Sequence, residues 1–245
     1  MSTLPGTTGR RRVYLMRHGF VDYTSRRVRE SRDPGTACLT EAGRDEARAA
    51  GAALAEVHFD IAMCSGLLRT RETAELVLEA HPYDLPLEVE PRFEELRSGQ
   101  YIDFRSAEQL AATMTFQFEA AGDPGATFLE GGEAFSDAMA RIADGIEALL
   151  ARPGWHTALV VAHEGVNRLA LAWALGAPLG ASAGFEQDTG CINIIDFDLV
   201  PVDDTSDETK IERAVIKSVN LTPANYLKNG MNLRSLEAIF AHAGE

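Results

Sequence analysis

Two short apolar runs in this chain end on a histidine. The first reads VYLMRHG over 13–19 and the second TALVVAHEG over 157–165. A strand with one wet face alternates apolar and polar residues, so an unbroken apolar run marks a strand covered on both faces. The stretches around these runs supply the cover. TEAGRDEARAAGAALAEV (40–57) places Ala42, Ala49, Ala50, Ala53, Leu54 and Val57 at helical spacing, with Thr40 as N-cap. DIAMCS (60–65) reads as a strand, GLLRTRETAELVLEA (66–80) as a helix and LEVEP (87–91) as a third strand. EGVNRLALAWALG (164–176) is a helix closed by Gly176. CINIIDFDL (191–199) and RAVIKSV (213–219) read as late strands, and NLRSLEAIFAHA (232–243) as a final helix.

Strands alternating with helices predict an α/β fold, a three-layer sandwich on a mostly parallel central sheet. Residues 96–130 break the alternation, with Gly99, Gly122, Pro124 and Gly125 around a helical stretch at 106–120. They read as a cap-like helical and loop insertion over the C-terminal edge of the strands. A chain of 245 residues is sized for one domain with such an excursion. Residues 1–11 read as a loose leader and 201–209 as an acidic loop.

Charge and cysteine usage narrow the partners. A net charge of −14, with lysine only at 210, 217 and 228, disfavours nucleic acid, which needs a basic face. Cys38, Cys64 and Cys191 are odd in number and form no C-x-x-C pair, which fits a reducing compartment. The N-terminus lacks the apolar core of a signal peptide, and no run approaches the ~18 apolar residues of a membrane span. The expectation is a soluble cytoplasmic protein with no membrane partner; a homodimer stays open.

In open α/β sheets, ligands bind beyond the carboxyl ends of the strands. The first strand delivers Arg17 and His18 there, the 157–162 strand delivers His163, and the helix after 60–65 carries Arg69 in its first turn. Helix N-termini at the same edge favour anions, and guanidinium groups match phosphate geometry. A neutral imidazole can attack phosphorus, and the oxygens of the transferred group then need cationic or hydrogen-bonding neighbours. A departing alkoxide needs a proton, and PRFEELRSGQY (91–101) offers Glu94 and Glu95. HEGVN lacks the second histidine of a zinc-binding H-E-x-x-H, and neighbouring arginines repel a divalent cation, so no metal is expected. No P-loop and no G-x-G-x-x-G occur, and no cofactor is implied. SRRVRESRDP (25–34) is either a solvated basic loop or a second anion site beside the first.

Taken together, several stretches resemble the histidine phosphatase superfamily, with its phosphoglycerate-mutase-like fold. They are RHG at 17–19, LTEAGRDEA at 39–47, SGLLRTRETA at 65–74, FEELRSGQY at 93–101, EGGEAFSDAMAR at 130–141 and VVAHEG at 160–165, in order over roughly 13–197. The resemblance implies His18 as the phosphorylated nucleophile, with Arg17, Arg69 and His163 forming the phosphate pocket. Its L-x-E-x-x-x-G pattern aligns with Phe93, Glu95 and Gly99, which makes Glu95 the general acid. It also implies substrate contacts near Arg26 and Arg27, and Glu164 is a further candidate substrate contact. The chain departs from the family pattern after RHG, where FVDYTSRR replaces the usual Glu-Thr or Glu-Ser and a following Asn. Glu164 stands where many members have Gly, and H-E-G replaces the H-G-N of mutases. The expectation is a metal-independent phosphomonoesterase acting on a phosphorylated small molecule. Its rivals are a phosphomutase on the same residues and a phosphate-binding regulatory module without turnover.

Overall fold

The two histidine-tipped runs lie side by side. In the computed structural model, which describes residues 9–23, 25–99, 113, 116–202 and 208–241, β1 (Arg10–Arg17) pairs in parallel with β4 (Thr157–Ala162). β2 (Ile61–Cys64) and β3 (Leu87–Val89) extend the parallel part, while β5 (Ile192–Pro201) and β6 (Thr209–Leu221) add antiparallel strands. The order across the six-stranded sheet is β3-β2-β4-β1-β5-β6. The sheet is thus α/β and mostly parallel, as expected.

Period-2 geometry explains why the runs are apolar without interruption. Val13 and Leu15 of β1, Ile61 and Met63 of β2, and Val160 of β4 point to one face. There they meet Phe135, Ile142, Ile146 and Leu149 of α4 (Phe135–Leu150), and Val166 and Leu169 of α5 (Glu164–Ala174). Tyr14, Met16, Ala62, Cys64, Leu159 and Val161 point to the other face. They meet Ala50 and Leu54 of α2 (Glu41–Leu54), and Ala74 and Val77 of α3 (Leu68–Leu78). β1, β2 and β4 bury both sides, and three layers result. Thr40 caps α2 through a bond from Gly43 N to its hydroxyl at 3.1 Å, and Gly176 follows α5 at φ +62°.

Three features differ from the sequence expectation. The first strand begins at Arg10, inside the stretch read as a leader, because Arg10 and Arg12 face β5 and pair with Asp198 and Asp196 at 2.7 and 2.6 Å. The basic run at 25–34 is a short helix, α1 (Arg26–Ser31), capped by Ser25 and anchored by Val28 against Val21, Ala37 and Leu39. α4 was not anticipated at all. Of the 96–130 insertion, Leu96, Phe118 and Phe128 enter the core, with the Phe118 and Phe135 rings 5.6 Å apart. Most of the helical stretch expected at 106–120 lies outside the described residues, as do 203–207 of the acidic loop and 242–243 of the final helix, α6 (Ser235–Ala241). Among the described residues no helix is long and apolar enough to cross a membrane.

Two glycines fix where the edge of the sheet meets α2. A Cβ on Gly19 would lie 2.2 Å from the Gly43 carbonyl oxygen, and one on Gly43 would lie 2.2 Å from that of Phe20. The backbone leaving β1 and the first turn of α2 are in direct contact, which no side chain permits. Gly43→Ala should therefore destabilise the fold by about 1–3 kcal/mol. Gly184→Ala, where a Cβ meets nothing within 4 Å, is the control. Equal melting temperatures for the two variants would contradict this account.

Candidate active site

The strand ends bring five side chains to one place. Arg17 is the last residue of β1, and His18 follows it. His163 directly follows β4, and Arg69 is the second residue of α3. Arg17, His18, Arg69 and His163 are each at most 2% exposed. Because β1 and β4 are adjacent and parallel, the two imidazole rings lie 5.2 Å apart.

Hydrogen bonds fix the state of each ring. His18 Nδ1 lies 2.8 Å from the Gly19 carbonyl oxygen, which only accepts, so Nδ1 carries the proton. That leaves a lone pair on Nε2, to which Arg69 Nε donates at 3.2 Å. Burial, then Arg69 and Arg17, hold the His18 pKa well below 6.5, because protonation would bury a third cation beside two others. His163 Nε2 lies 2.8 Å from Ser65 Oγ, Ser65 Oγ lies 2.9 Å from Thr70 Oγ1, and Thr70 Oγ1 lies 2.8 Å from the Leu67 carbonyl oxygen. All three bonds form together only if His163 donates to Ser65, Ser65 to Thr70 and Thr70 to Leu67. The free position of His163 is then Nδ1, which is buried with no hydrogen-bond partner among the described residues. Burial is also the main cause that holds its pKa well below 6.5, with Arg69, His18 and Arg17 adding to it.

Glu95 meets this group from the loop after β3. Its carboxylate accepts from Leu96 N at 3.0 Å and from Gly165 N, at the start of α5, at 3.4 Å. Burial pushes its pKa above 4.5. The glycine of H-E-G makes room for it, since a Cβ on Gly165 would lie 2.7 Å from Glu95 Oε1.

Arg17 NH1 pairs with Glu164 Oε2 at 2.8 Å and donates to the Gln187 carbonyl at 2.5 Å, while Nε is buried with no hydrogen-bond partner among the described residues. Arg69 NH1 donates to the Pro34 carbonyl at 3.2 Å, and its guanidinium lies 5.8 Å from the Tyr23 ring centre. The expected substrate contact Glu164 is 3% exposed, and protein groups engage both its oxygens: Arg17, Arg168 at 2.7 Å and Ser235 at 3.3 Å. Arg26 and Arg27 lie apart on α1, exposed, with Arg26 paired to Glu30 at 2.6 Å.

Sequence reasoning left three supporting residues without a role. Ser65 orients His163, and Thr73 accepts from Gly19 N at 3.1 Å, holding the turn after His18. Both stand in the quoted SGLLRTRETA stretch. Gln187 acts on Arg17 through its backbone carbonyl, and backbone groups leave no trace in sequence.

The neutral histidines carry a consequence for stability. Their folded pKa values are depressed, so the unfolded chain binds protons more readily. The stability gained from their neutrality is complete above about 6.5 and is lost as the pH falls toward the depressed values. In urea titrations at pH 7.5 and 5.5, the wild type should lose more stability on acidification than the double variant His18→Asn/His163→Asn. Equal losses would rule the histidines out as the cause.

Comparison with known proteins gives the family of the chain. The family model of the histidine phosphatase superfamily (branch 1) matches residues 13–199. The adenosylcobalamin/alpha-ribazole phosphatase of Salmonella typhimurium is 30% identical over 193 residues, covering 76% of this chain and 90% of its own length. The crystal structure of the alpha-ribazole phosphatase from Shigella flexneri aligns over 85% of this chain and 96% of its own, with a TM-score of 0.62 and 25% identity. Mycobacterial hydrolase 2 shares the fold over 97% of this chain and 99% of its own, with a TM-score of 0.69 and 21% identity. With two histidines and two arginines converging where the family model matches, the chain belongs to the histidine phosphatase superfamily.

Proposed function

We propose that this phosphatase hydrolyses a phosphate monoester of a small molecule in two steps, through a phosphohistidine on His18. The observation that carries the reading is the fixed tautomer of His18: Nδ1 is committed to Gly19, and the Nε2 lone pair lies beside Arg69. A nucleophile held neutral by its surroundings stays active at and below neutral pH. In the first step Nε2 attacks phosphorus and the bond to the ester oxygen breaks. The departing oxygen keeps the electron pair and takes the proton from Glu95, whose raised pKa suits a donor. In the second step the Glu95 carboxylate takes a proton from water, the water oxygen attacks phosphorus, and the N–P bond breaks to release phosphate.

Arg17 Nε, Arg69 and His163 Nδ1 serve the phosphoryl oxygens. An unpartnered buried polar atom costs ~1–3 kcal/mol, and Arg17 Nε and His163 Nδ1 are both of that kind. A phosphoryl group satisfies both, and its charge favours a proton on His163 Nδ1. The names of the alpha-ribazole phosphatases support a small phosphorylated substrate over a macromolecule.

Rapid quenching with a radiolabelled monoester tests the mechanism. The wild type should yield an acid-labile, base-stable adduct that is absent from His18→Ala, and an adduct on serine or aspartate would refute it. Glu95→Gln should slow alkyl phosphates by ~10²–10⁴ and an activated aryl phosphate far less. Equal losses on both substrates would remove Glu95 from the proton-donor role.

On the same reading, Arg26 and Arg27 meet further anionic groups of the substrate. Exposed charges act through screened electrostatics and contribute uniform binding. Replacing both with Ala should raise KM for a multiply charged substrate, leave kcat nearly unchanged, and matter less at high salt. A small aryl phosphate with an uncharged tail should not respond. The same response from both substrates, or none from either, would make α1 a solvated surface.

A further inference from the structure

The family match ends at residue 199, yet the chain beyond it reaches back to the catalytic edge. Asp188 N donates to Asn220 Oδ1 and Asn220 Nδ2 donates to Asp188 Oδ2, both at 2.8 Å. Lys228 Nζ pairs with the same carboxylate at 2.7 Å. Ser235 N donates to Glu186 Oε1 at 2.9 Å, and the Ser235 hydroxyl lies 3.3 Å from each oxygen of Glu164. The contacted groups are Glu186, Asp188 and Glu164. Between the first two sits Gln187, whose carbonyl accepts from Arg17, and Glu164 is the carboxylate paired with Arg17.

Glu164 is shared between two cations. Arg168, one helical turn on, takes Oε1 through both Nε at 3.0 Å and NH2 at 2.7 Å, while Arg17 takes Oε2. The two arginines pull the carboxylate in different directions, and a third contact fixes its rotation between them. The Ser235 hydroxyl, 3.3 Å from each oxygen and 4% exposed, supplies that third contact. We infer that Glu164 is a positioning residue that orients the Arg17 guanidinium toward the phosphoryl group, and that Ser235 of the C-terminal segment holds Glu164 in that orientation. The inference rests on the reading of Arg17 as a phosphate ligand.

A positioning carboxylate differs from a substrate contact in the sign of its effects. Removing its charge leaves Arg17 more positive, so a bound phosphate is held no less tightly. The aim of Arg17 at the transition state is lost, and the loss falls on kcat. Glu164→Gln should therefore lower kcat at least tenfold, with the inhibition constant for inorganic phosphate unchanged or lower. Ser235→Ala should lower kcat about two- to fivefold in the same manner, and Ser235→Thr, which keeps the hydroxyl, should restore it. The Ser235 pair carries the test alone if Glu164→Gln does not fold, since Ser235→Ala removes only one oxygen.

Three results would overturn the inference. The first is a kcat within twofold of wild type in both Glu164→Gln and Ser235→Ala. The second is a raised KM with kcat intact in Glu164→Gln, which would make Glu164 a substrate contact. The third is a kcat loss in Ser235→Ala that Thr does not restore. Each can occur with the His18 adduct still formed, so it sinks the inference without touching the mechanism. Absence of the adduct in the wild type would sink both.

Discussion

Arg17 holds a full positive charge with 2% of its surface exposed. Removing an ion from water costs several kcal/mol even after the protein relaxes, and a hydrogen bond to a charged group returns only ~1.5–3 kcal/mol. One contact cannot hold such a group in place. Glu164 supplies the opposite charge and the Gln187 carbonyl a second acceptor on the same nitrogen. These two partners use one end of the guanidinium and leave Nε directed elsewhere. The same buried charge also sets its neighbours. Burial, with Arg69 and Arg17 adding to it, keeps both histidines neutral, and burial keeps the Glu95 carboxyl above its ordinary pKa. Both shifts follow from burying these groups together: the histidines are held neutral and the Glu95 carboxyl holds its proton more tightly.

Close positioning comes from backbone more than from side chains. Parallel pairing of β1 with β4 sets the two histidines on neighbouring strand ends. Gly19 against Gly43 locks the turn after His18 onto α2, and Thr73 of α3 takes the Gly19 N–H. Thr40 N and its hydroxyl both bond the Phe20 carbonyl, at 3.0 and 3.2 Å. Four elements thus converge on three residues. A side chain just past the end of a strand would otherwise have the freedom of a loop.

The sheet and its reactive edge were legible because they rest on simple signals. Unbroken apolar runs marked strands buried on both faces, and what followed each run marked the edge. Where the signal is weaker, reading failed. The apolar positions of α4, Phe135, Ala138, Ile142, Ile146 and Leu149, do follow the helical period, but they adjoin a glycine-rich stretch that drew attention to loops. α1 has six residues and one buried side chain, Val28, which is too few to show a period. Arg10 reads as part of a leader because its partner, Asp198, is 188 residues away. Cross-strand pairing cannot be seen before the register is known. Of the site, Arg17, His18, Arg69 and His163 were legible as a cluster. The choice of Glu95 over Glu94 came from resemblance, and the structure adds the contact with Gly165 N that sets Glu95 at the edge.

Glu164 shows how a departure from a family pattern can bring its own supports. It occupies a position where many members carry Gly, and a carboxylate there is a buried charge beside Arg17. Here it has Arg17 before it, Arg168 at helical spacing beside it and the Ser235 hydroxyl on its open side. Arg168 in turn lies 5.0 Å from the Phe118 ring centre and is 5% exposed, with Glu186 at 3.7 Å as its other carboxylate. Glu186 accepts from Ser235 N. Exchanging Arg17, Glu164 or Arg168 alone leaves a buried charge unbalanced, a loss of ~3–5 kcal/mol. They form one unit spanning α5, the 186–188 loop and the start of α6. Through that unit, residues beyond the family match bear on Arg17, the arginine of R-H-G.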